Sequence, residues 1–223
     1  MSFVVAIDGP AGSGKGTVTK IVAEKMGLVN IDTGAMYRCV TLACLEKNID
    51  STQLDKINET LENIEIEIKN ENCNQTFYLN GKNVTKEIRF ENVNKNVAKF
   101  AAIKEVRDKV TPMQREMGAK QDIIMEGRDI TTVVFTNAYV KIYLDCSVEE
   151  RARRRYKQNI EKNIEFTYEE VLVNIIERNK LETERETAPL IKADDAILLD
   201  STNLSIEEVV DRIIEIINEK RGK

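Results

Sequence analysis

The run Gly9-Pro10-Ala11-Gly12-Ser13-Gly14-Lys15-Gly16-Thr17 holds the densest chemistry in the chain. Four of the ten glycines, Gly9, Gly12, Gly14 and Gly16, fall inside it, so a turn with a chance lysine is a poor account. A polyphosphate calls for many backbone N–H donors converging on its oxygens, and the N-terminus of a helix supplies them with a partial positive charge. Glycines let the backbone wrap closely and take positive φ. A lysine at the end of the loop adds a full charge for the outer phosphates. These nine residues therefore read as a binding loop for a nucleoside triphosphate.

Arginines are the second feature. Transfer of a phosphoryl group depends on holding donor and acceptor in line and neutralising the charge that spreads over the moving group. Guanidinium forks suit this better than ammonium point charges. The candidates are Arg38, Arg107, Arg128, Arg151, Arg154, Arg155, Arg178 and Arg185. Arg151, Arg154 and Arg155 share one helix face, whereas Arg153 points nearly opposite and reads as solvated. Arg178, Glu182 and Arg185 align only if their helix persists, and by spacing alone that is an exposed ion-pair ladder of small worth. The chain has no histidine. This excludes Ser-His-Asp and Cys-His catalysis and every histidine-containing metal site, but leaves phosphoryl transfer open.

The elements that must position these groups follow from periodicity. Phe3–Ile7 is a short apolar strand, and Val18, Ile21, Val22 and Met26 mark one helix face, closed by Gly27. Leu28–Ile31 is a second strand, followed by a helix carrying Met36, Tyr37, Val40, Ala43 and Cys44. A polar helix spans 51–63. Ile64, Ile66 and Ile68 then alternate with charged residues as a strand, and Thr76–Leu79 and Lys82–Thr85 flank Asn80-Gly81, a strong hairpin signal. Residues 86–117 are helical in pattern, with a break near Ala102 and a stop at Gly118. Ile123–Met125, Val140–Leu144 and Ala196–Leu199 complete the strands. Ser147 with Glu150, Thr167 with Glu170 and Ser205 with Glu208 are capping boxes, the last two stapled by Phe166–Val171 and Leu204–Val209. The last opens a helix whose Ile206, Val209, Val210, Ile213, Ile214 and Ile217 form one face.

Strands alternating with helices predict an α/β fold: a doubly wound five-stranded parallel sheet carrying an antiparallel hairpin insert and a short helical lid. Asp8, Asp32, Glu126 and Asp145 then crowd the carboxyl edge of the sheet, where open α/β folds bind ligands. Carboxylates there either orient the water shell of Mg²⁺ or serve as N-cap and turn residues; for Asp8 and Glu126 both readings stand.

The 223 residues are 42% hydrophobic and 32% charged, ordinary for a globular chain. The net charge of −5 argues against a general nucleic-acid binder. No apolar run reaches transmembrane length and no secretory leader is recognisable, so a cytoplasmic location is expected. Without a long apolar stripe, a monomer is expected. Cys39, Cys44, Cys73 and Cys146 have no CxxC spacing and read as small packing or surface residues.

The motifs IDGPAGSGKGT (7–17), DTGAMYR (32–38), EIR (87–89), EVR (105–107), EGRDI (126–130), TVVF (132–135), VKIYLD (140–145), ERARRR (150–155), APL (188–190) and LDST (199–202) together resemble the bacterial cytidylate kinase family, among the nucleoside monophosphate kinases with a P-loop. The resemblance runs over nearly the whole chain, and the Gly16-Thr17 ending is of this kind rather than that of GTPases or motor ATPases. It implies transfer of phosphate from ATP, with Mg²⁺, to CMP or dCMP, and no nucleic-acid or membrane partner. Residues 9–17 would hold ATP; Mg²⁺ would be held through ATP and water near Asp8, Thr17 and Glu126, with no direct ligand assigned. Lys15, Arg128, Arg154, Arg178 and Arg185 would act on the transferring group. Thr33, Tyr37, Arg38, Arg107, Arg128, Asp129, Glu182 and Arg185 would hold the acceptor. Residues 1–35, 101–155 and 186–223 would form the ATP-binding core, 36–100 the acceptor region with its three-stranded insert (about 64–85), and 156–185 the lid.

Departures from the family pattern bear on base selection more than on phosphoryl transfer. Ala98 stands where a serine contacts cytosine, Lys104 for a proline, Thr131 for the last glycine of GRDIG, and Thr136 for a proline. In RNKLETER (178–185), Asn179 and Glu182 replace two aspartates. Other acceptors (UMP, AMP or a small alcohol) and a non-catalytic nucleotide-binding regulator are the competing readings. The absence of a DGFPR segment speaks against an adenylate kinase, and Gly16 against a shikimate-type kinase.

Overall fold

The computed structural model describes residues 2–71, 74–161 and 164–222; Cys73 lies outside them. In chain order the strands are β1 (Val4–Asp8), β2 (Val29–Asp32), β3 (Ile66–Glu71), β4 (Asn74–Leu79), β5 (Lys82–Asn83), β6 (Ile123–Gly127), β7 (Val140–Asp145) and β8 (Ile197–Asp200). The helices are α1 (Lys15–Met26), α2 (Thr33–Glu46), α3 (Leu54–Glu62), α4 (Glu91–Phe100), α5 (Lys104–Lys120), α6 (Val148–Glu161), α7 (Tyr168–Glu184) and α8 (Ile206–Arg221).

Five strands form the expected parallel sheet in the order β2-β6-β1-β7-β8. β1 is central and buried throughout. Its alternate side chains serve two cores. Val5 and Ile7 join Val18 and Val22 of α1 and Val210, Ile213 and Ile217 of α8, while Val4 and Ala6 join Ile31, Met125 and Ile130 on the other face. The register sets Asp8 opposite Gly127 and Tyr143, Asp32 opposite Glu126 and Asp145 opposite Asp200. The strand-end carboxylates therefore do share one edge.

The insert is an antiparallel sheet, β3-β4-β5, turned at Asn80 and Gly81, whose φ values of 49° and 78° suit the tight hairpin. Its last strand is shorter than the expected 82–85. Val84, 1% exposed, still donates its N–H to the Phe77 carbonyl at 2.8 Å, but the Phe77 N–H goes to the Thr85 hydroxyl at 2.9 Å and the regular ladder ends there. Phe77, Leu79 and Ile66 share a core with α2, α3, α4 and α5. Near Ala102 the helical stretch breaks as expected, between α4 and α5.

Gly118 does not stop α5, which runs on to Lys120. A Cβ at Gly118 would lie 2.4 Å from Phe135 Cζ and 2.8 Å from Ile123 Cδ1, so this glycine marks close packing rather than a cap. The boxes at Thr167 and Ser205 are complete. The one at Ser147 is half formed: its hydroxyl accepts the Glu150 N–H, but its own N–H goes to Thr202 Oγ1. Glu150 turns instead to Arg153 and Arg154. Among the described residues no helix is long and apolar enough to cross a membrane. Cys39, Cys44 and Cys146 are buried, and burial pushes the first two thiols up to about 12 and about 11, leaving them inert packing groups.

Candidate active site

Between β1 and α1 the loop takes φ values of 153°, 85° and 91° at Gly9, Gly12 and Gly14. A Cβ at Gly9 would sit 2.1 Å from the Leu144 carbonyl oxygen of β7, so a side chain there would break the seat of the loop. Gly14 caps α1 without a side chain, leaving the helix N-terminus open to an anion. Lys15 is buried in the curve of the loop. Its ammonium donates to the carbonyls of Gly9 and Pro10 at 2.7 and 2.8 Å and to Ser13 Oγ at 3.2 Å. Burial, with help from the nearby Arg128 charge, lowers its pKa to about 7. Thr17 is exposed one turn along.

Gly16, where many such loops carry a hydroxyl, has a local reason. Its Cβ would lie 2.9 Å from Glu126 Oε1, so the glycine lets the carboxylate at the end of β6 rest against the first turn of α1. Burial, with Asp32 next to it, raises the pKa of Glu126 against the opposing pull of Lys15, Arg128 and Arg38. Asp8 serves a different end. Its two oxygens accept the Ile130 N–H (2.9 Å), the Thr131 N–H (2.7 Å) and the Thr131 hydroxyl (2.6 Å). Thr131 thus adds a donor that a glycine would lack. Those bonds fix the wide turn Ile130–Val134, which directly follows Arg128 and Asp129.

Guanidiniums and carboxylates gather in three clusters, the first of them close enough to act on Lys15. In the first, Glu182 of α7, 4% exposed, accepts Arg128 Nε at 2.7 Å and Arg178 Nε at 2.9 Å. Burial alone would raise the pKa of Glu182; the two guanidiniums, Arg128 ahead of Arg178, overcome this and hold it at about 2. In the second, Asp129 pairs with Arg107 and lies 3.9 Å from Arg185 Nη2. Arg107 also donates to the Ala101 carbonyl at 3.0 Å and lies 5.3 Å from the Tyr37 ring centre. In the third, Asp32 caps α2 through Ala35 N–H (3.0 Å), accepts Arg89 Nη2 at 2.7 Å and lies 3.8 Å from Arg38 Nη1. Asn94 accepts Arg38 Nε at 3.2 Å. Burial lowers the pKa of Arg38 to about 10, against the pull of Asp32, and the nearby Arg89 and Arg178 charges add to the lowering. The buried Nη1 of Arg38 and Nη2 of Arg185 have no hydrogen-bond partner among the described residues.

Arg154 stands over the loop. It donates to Glu150 at 3.0 Å, Ser13 O at 3.3 Å and Ser201 O at 2.7 Å. Arg151 reaches the Ala11 carbonyl (3.3 Å) and Asn179 Oδ1 (3.4 Å), which gives that departure from the lid pattern a partner. Arg153 is exposed, as its helical phase implied. The Thr33 hydroxyl is spent on the Glu126 carbonyl at 2.6 Å.

The condition for aligning Arg185 with Arg178 and Glu182, a helix that persists, is not met. α7 stops at Glu184, and Arg185 turns in extended backbone to donate to Ala188 O at 2.7 Å. Nor is Glu182 part of an exposed ladder. Arg89, Asn94 and Ser201 are not among the expected site residues, since a lone Arg, Asn or Ser at no fixed offset carries no signal; only the positions of Arg89 within EIR and of Ser201 within LDST hint at them. Ala98 is half-buried on α4, and nothing in the structure explains the Thr136 substitution.

The cradle suits a polyphosphate, and the crowded arginines with unspent donors suit a second anion beside it. The family model described as cytidylate kinase matches residues 5–219. A cytidylate kinase from Fusobacterium nucleatum subsp. nucleatum is 49% identical over 212 residues, covering 95% of this chain and 95% of that protein. A cytidylate kinase from Bacillus subtilis is 46% identical over 216 residues, covering 97% of this chain and 96% of its own length. Among solved structures, the crystal structure of an uncharacterized protein from Eubacterium ventriosum ATCC 27560 aligns with a TM-score of 0.54 at 12% identity, over 98% of this chain and 99% of that one. That last likeness is one of fold alone.

Proposed function

The chain belongs to the cytidylate kinase family, and from that premise we propose that it transfers the γ-phosphoryl group of ATP to CMP or dCMP. The observation that carries this reading is the grouping of guanidiniums at the carboxyl edge. Glu182 grips Arg128 and Arg178 near Lys15, and Arg38 and Arg89 gather on Asp32 across the same edge. Such a density of positive charge, most of it half-buried, is held by the carboxylates behind it and favours anions in front of it.

A phosphate oxygen of the acceptor forms the new bond to the γ-phosphorus as the bond to the β,γ-bridging oxygen breaks, and ADP leaves with that electron pair. The attacking oxygen is already anionic, so no general base is required, in keeping with a chain that has no histidine. Lys15 exchanges its loop carbonyls for phosphate oxygens. Arg128, Arg154, Arg178 and Arg185 offset charge on the transferring group. Thr33, Tyr37, Arg38, Arg107, Asp129 and Glu182 set the acceptor.

Mg²⁺, bound through ATP and water, would neutralise phosphate charge. Thr17 and Glu126 would be the residues to meet its water shell, while Asp8 acts through the 130–131 turn. Residues 1–35, 101–155 and 186–223 would serve as the ATP side, 36–100 as the acceptor side, and 156–185 as the lid.

The test is ADP release from ATP and Mg²⁺ across CMP, dCMP, UMP, AMP and shikimate. Preference for CMP and dCMP is expected. Preference for AMP or shikimate would sink the proposal, and tight ATP binding with no turnover on any acceptor would point to a regulator instead.

A further inference from the structure

β2 is an edge strand of the parallel sheet, paired only with β6. Edge strands leave alternate N–H and C=O groups unpaired. Here the Val29 N–H turns inward to the Asp122 carbonyl at 3.0 Å, so Asn30 and Asp32 face outward. Both are met by one side chain. The Gln75 amide of β4 donates through Nε2 to the Asn30 carbonyl at 2.9 Å and accepts the Asp32 N–H through Oε1 at 3.1 Å. Donating to residue i−1 and accepting from residue i+1 is what the backbone of a parallel neighbour does opposite residue i. The Gln75 side chain therefore occupies the place of a sixth strand opposite Ile31.

The consequence reaches the site through Asp32. Its backbone is pinned by Gln75, and its carboxylate caps α2 and holds Arg89. The insert that carries Gln75 packs its Phe77 and Leu79 on the core of α2 and pairs Lys82 with Glu46 of that helix, while the Gln75 amide ties it to β2 itself. We propose that Gln75 is a positioning residue: it locks the insert to β2 and thereby sets Asp32 and the Arg38 and Arg89 guanidiniums for the acceptor. The Gln75 amide bonds to β2, and among the described residues no hydrogen bond joins it to the loop at 9–17, so its influence falls on the acceptor rather than on ATP.

This inference rests on the acceptor reading above, and the experiment separates the two. Steady-state kinetics are measured for the wild type, Gln75→Ala and Gln75→Glu, varying CMP and ATP independently, alongside residue-resolved hydrogen exchange at the Asp32 amide. Gln75→Glu keeps size and the acceptor but turns the donor toward Asn30 O into a second acceptor. Both variants are expected to raise KM for CMP about tenfold, the scale of one or two lost hydrogen bonds, with KM for ATP within about twofold. Asp32 exchange should accelerate in Gln75→Ala, while amides of β1 keep their protection. Unchanged KM for CMP in both variants, or equal rises for CMP and ATP, overturns the proposal. So does Asp32 exchange that is the same in Gln75→Ala as in the wild type, a result readable even if the wild type fails to phosphorylate CMP. That last failure would refute the acceptor reading by itself.

Discussion

Glu182→Gln tests how far the arginine clusters depend on their buried carboxylate. The substitution keeps shape but removes the charge between Arg128 and Arg178, whose side chains are 20% and 29% exposed against 5% for Glu182. The Glu182 pKa falls from the ordinary 4.5 to about 2 in the folded protein. Linkage converts that drop into roughly 3 kcal/mol of stability at neutral pH, on the same scale as the cost of stripping one partner from a buried pair. Because the folded pKa is depressed, the contribution is complete above the unfolded value near 4.5 and drains away as pH falls toward 2. For a chain of this size about 3 kcal/mol lowers Tm by roughly 6–12 °C. Urea unfolding of wild type and variant at pH 7, 6, 5 and 4 should show a gap constant down to about pH 5 and narrowing below it. A gap under about 1 kcal/mol at pH 7 would place Glu182 with ordinary surface pairs, and a gap that widens on acidification would refute the charge assignment. The same variant should weaken acceptor binding, since Arg128 and Arg178 lose the group that aims them.

Two further outcomes follow from local geometry. With Lys15 at about 7 in the free protein, ATP binding at pH 8 should take up close to one proton, because phosphate contact raises the ammonium pKa. Calorimetry in buffers of different ionisation enthalpy measures this uptake; none at pH 8, or uptake that survives Lys15→Ala, would exclude Lys15 as the group, and Lys15→Ala should also lower kcat by about 100-fold. Gly118→Ala should destabilise the fold by about 1–3 kcal/mol in urea titration, since its Cβ would meet the Phe135 ring at 2.4 Å. Helix propensity alone predicts a gain of up to about 1 kcal/mol, so a more stable variant would show that the ring yields freely.

Much of this protein is legible in local pattern. The loop at 9–17, its flanking strand and helix, the Asn80-Gly81 hairpin and the boxes at Thr167 and Ser205 depend on contacts within a few residues, which composition and spacing encode directly. Local pattern and structure part where a distant partner intervenes. Gly118 reads as a stop until the Phe135 ring is set against it, and Ser147 loses half its box because Thr202 and Arg154 compete for the same groups. Arg185 could share the face of Arg178 only if the helix persisted, and the chain leaves the helix one residue earlier.

From the sequence alone came a phosphate cradle with a lysine, arginines in place of histidine, and the doubly wound sheet to carry them, since each is written in residue type and short-range period. Only the tertiary structure decided which charges meet. Arg128 and Glu182 are 54 residues apart in the chain and 2.7 Å apart in space. Gln75 reaches the β2 edge across 43 residues. Thr131 spends its hydroxyl on Asp8 across 123. Hydrogen bonds fade within a few tenths of an ångström and salt bridges depend on burial, so these pairings exist only once the sheet, the insert and α7 have packed.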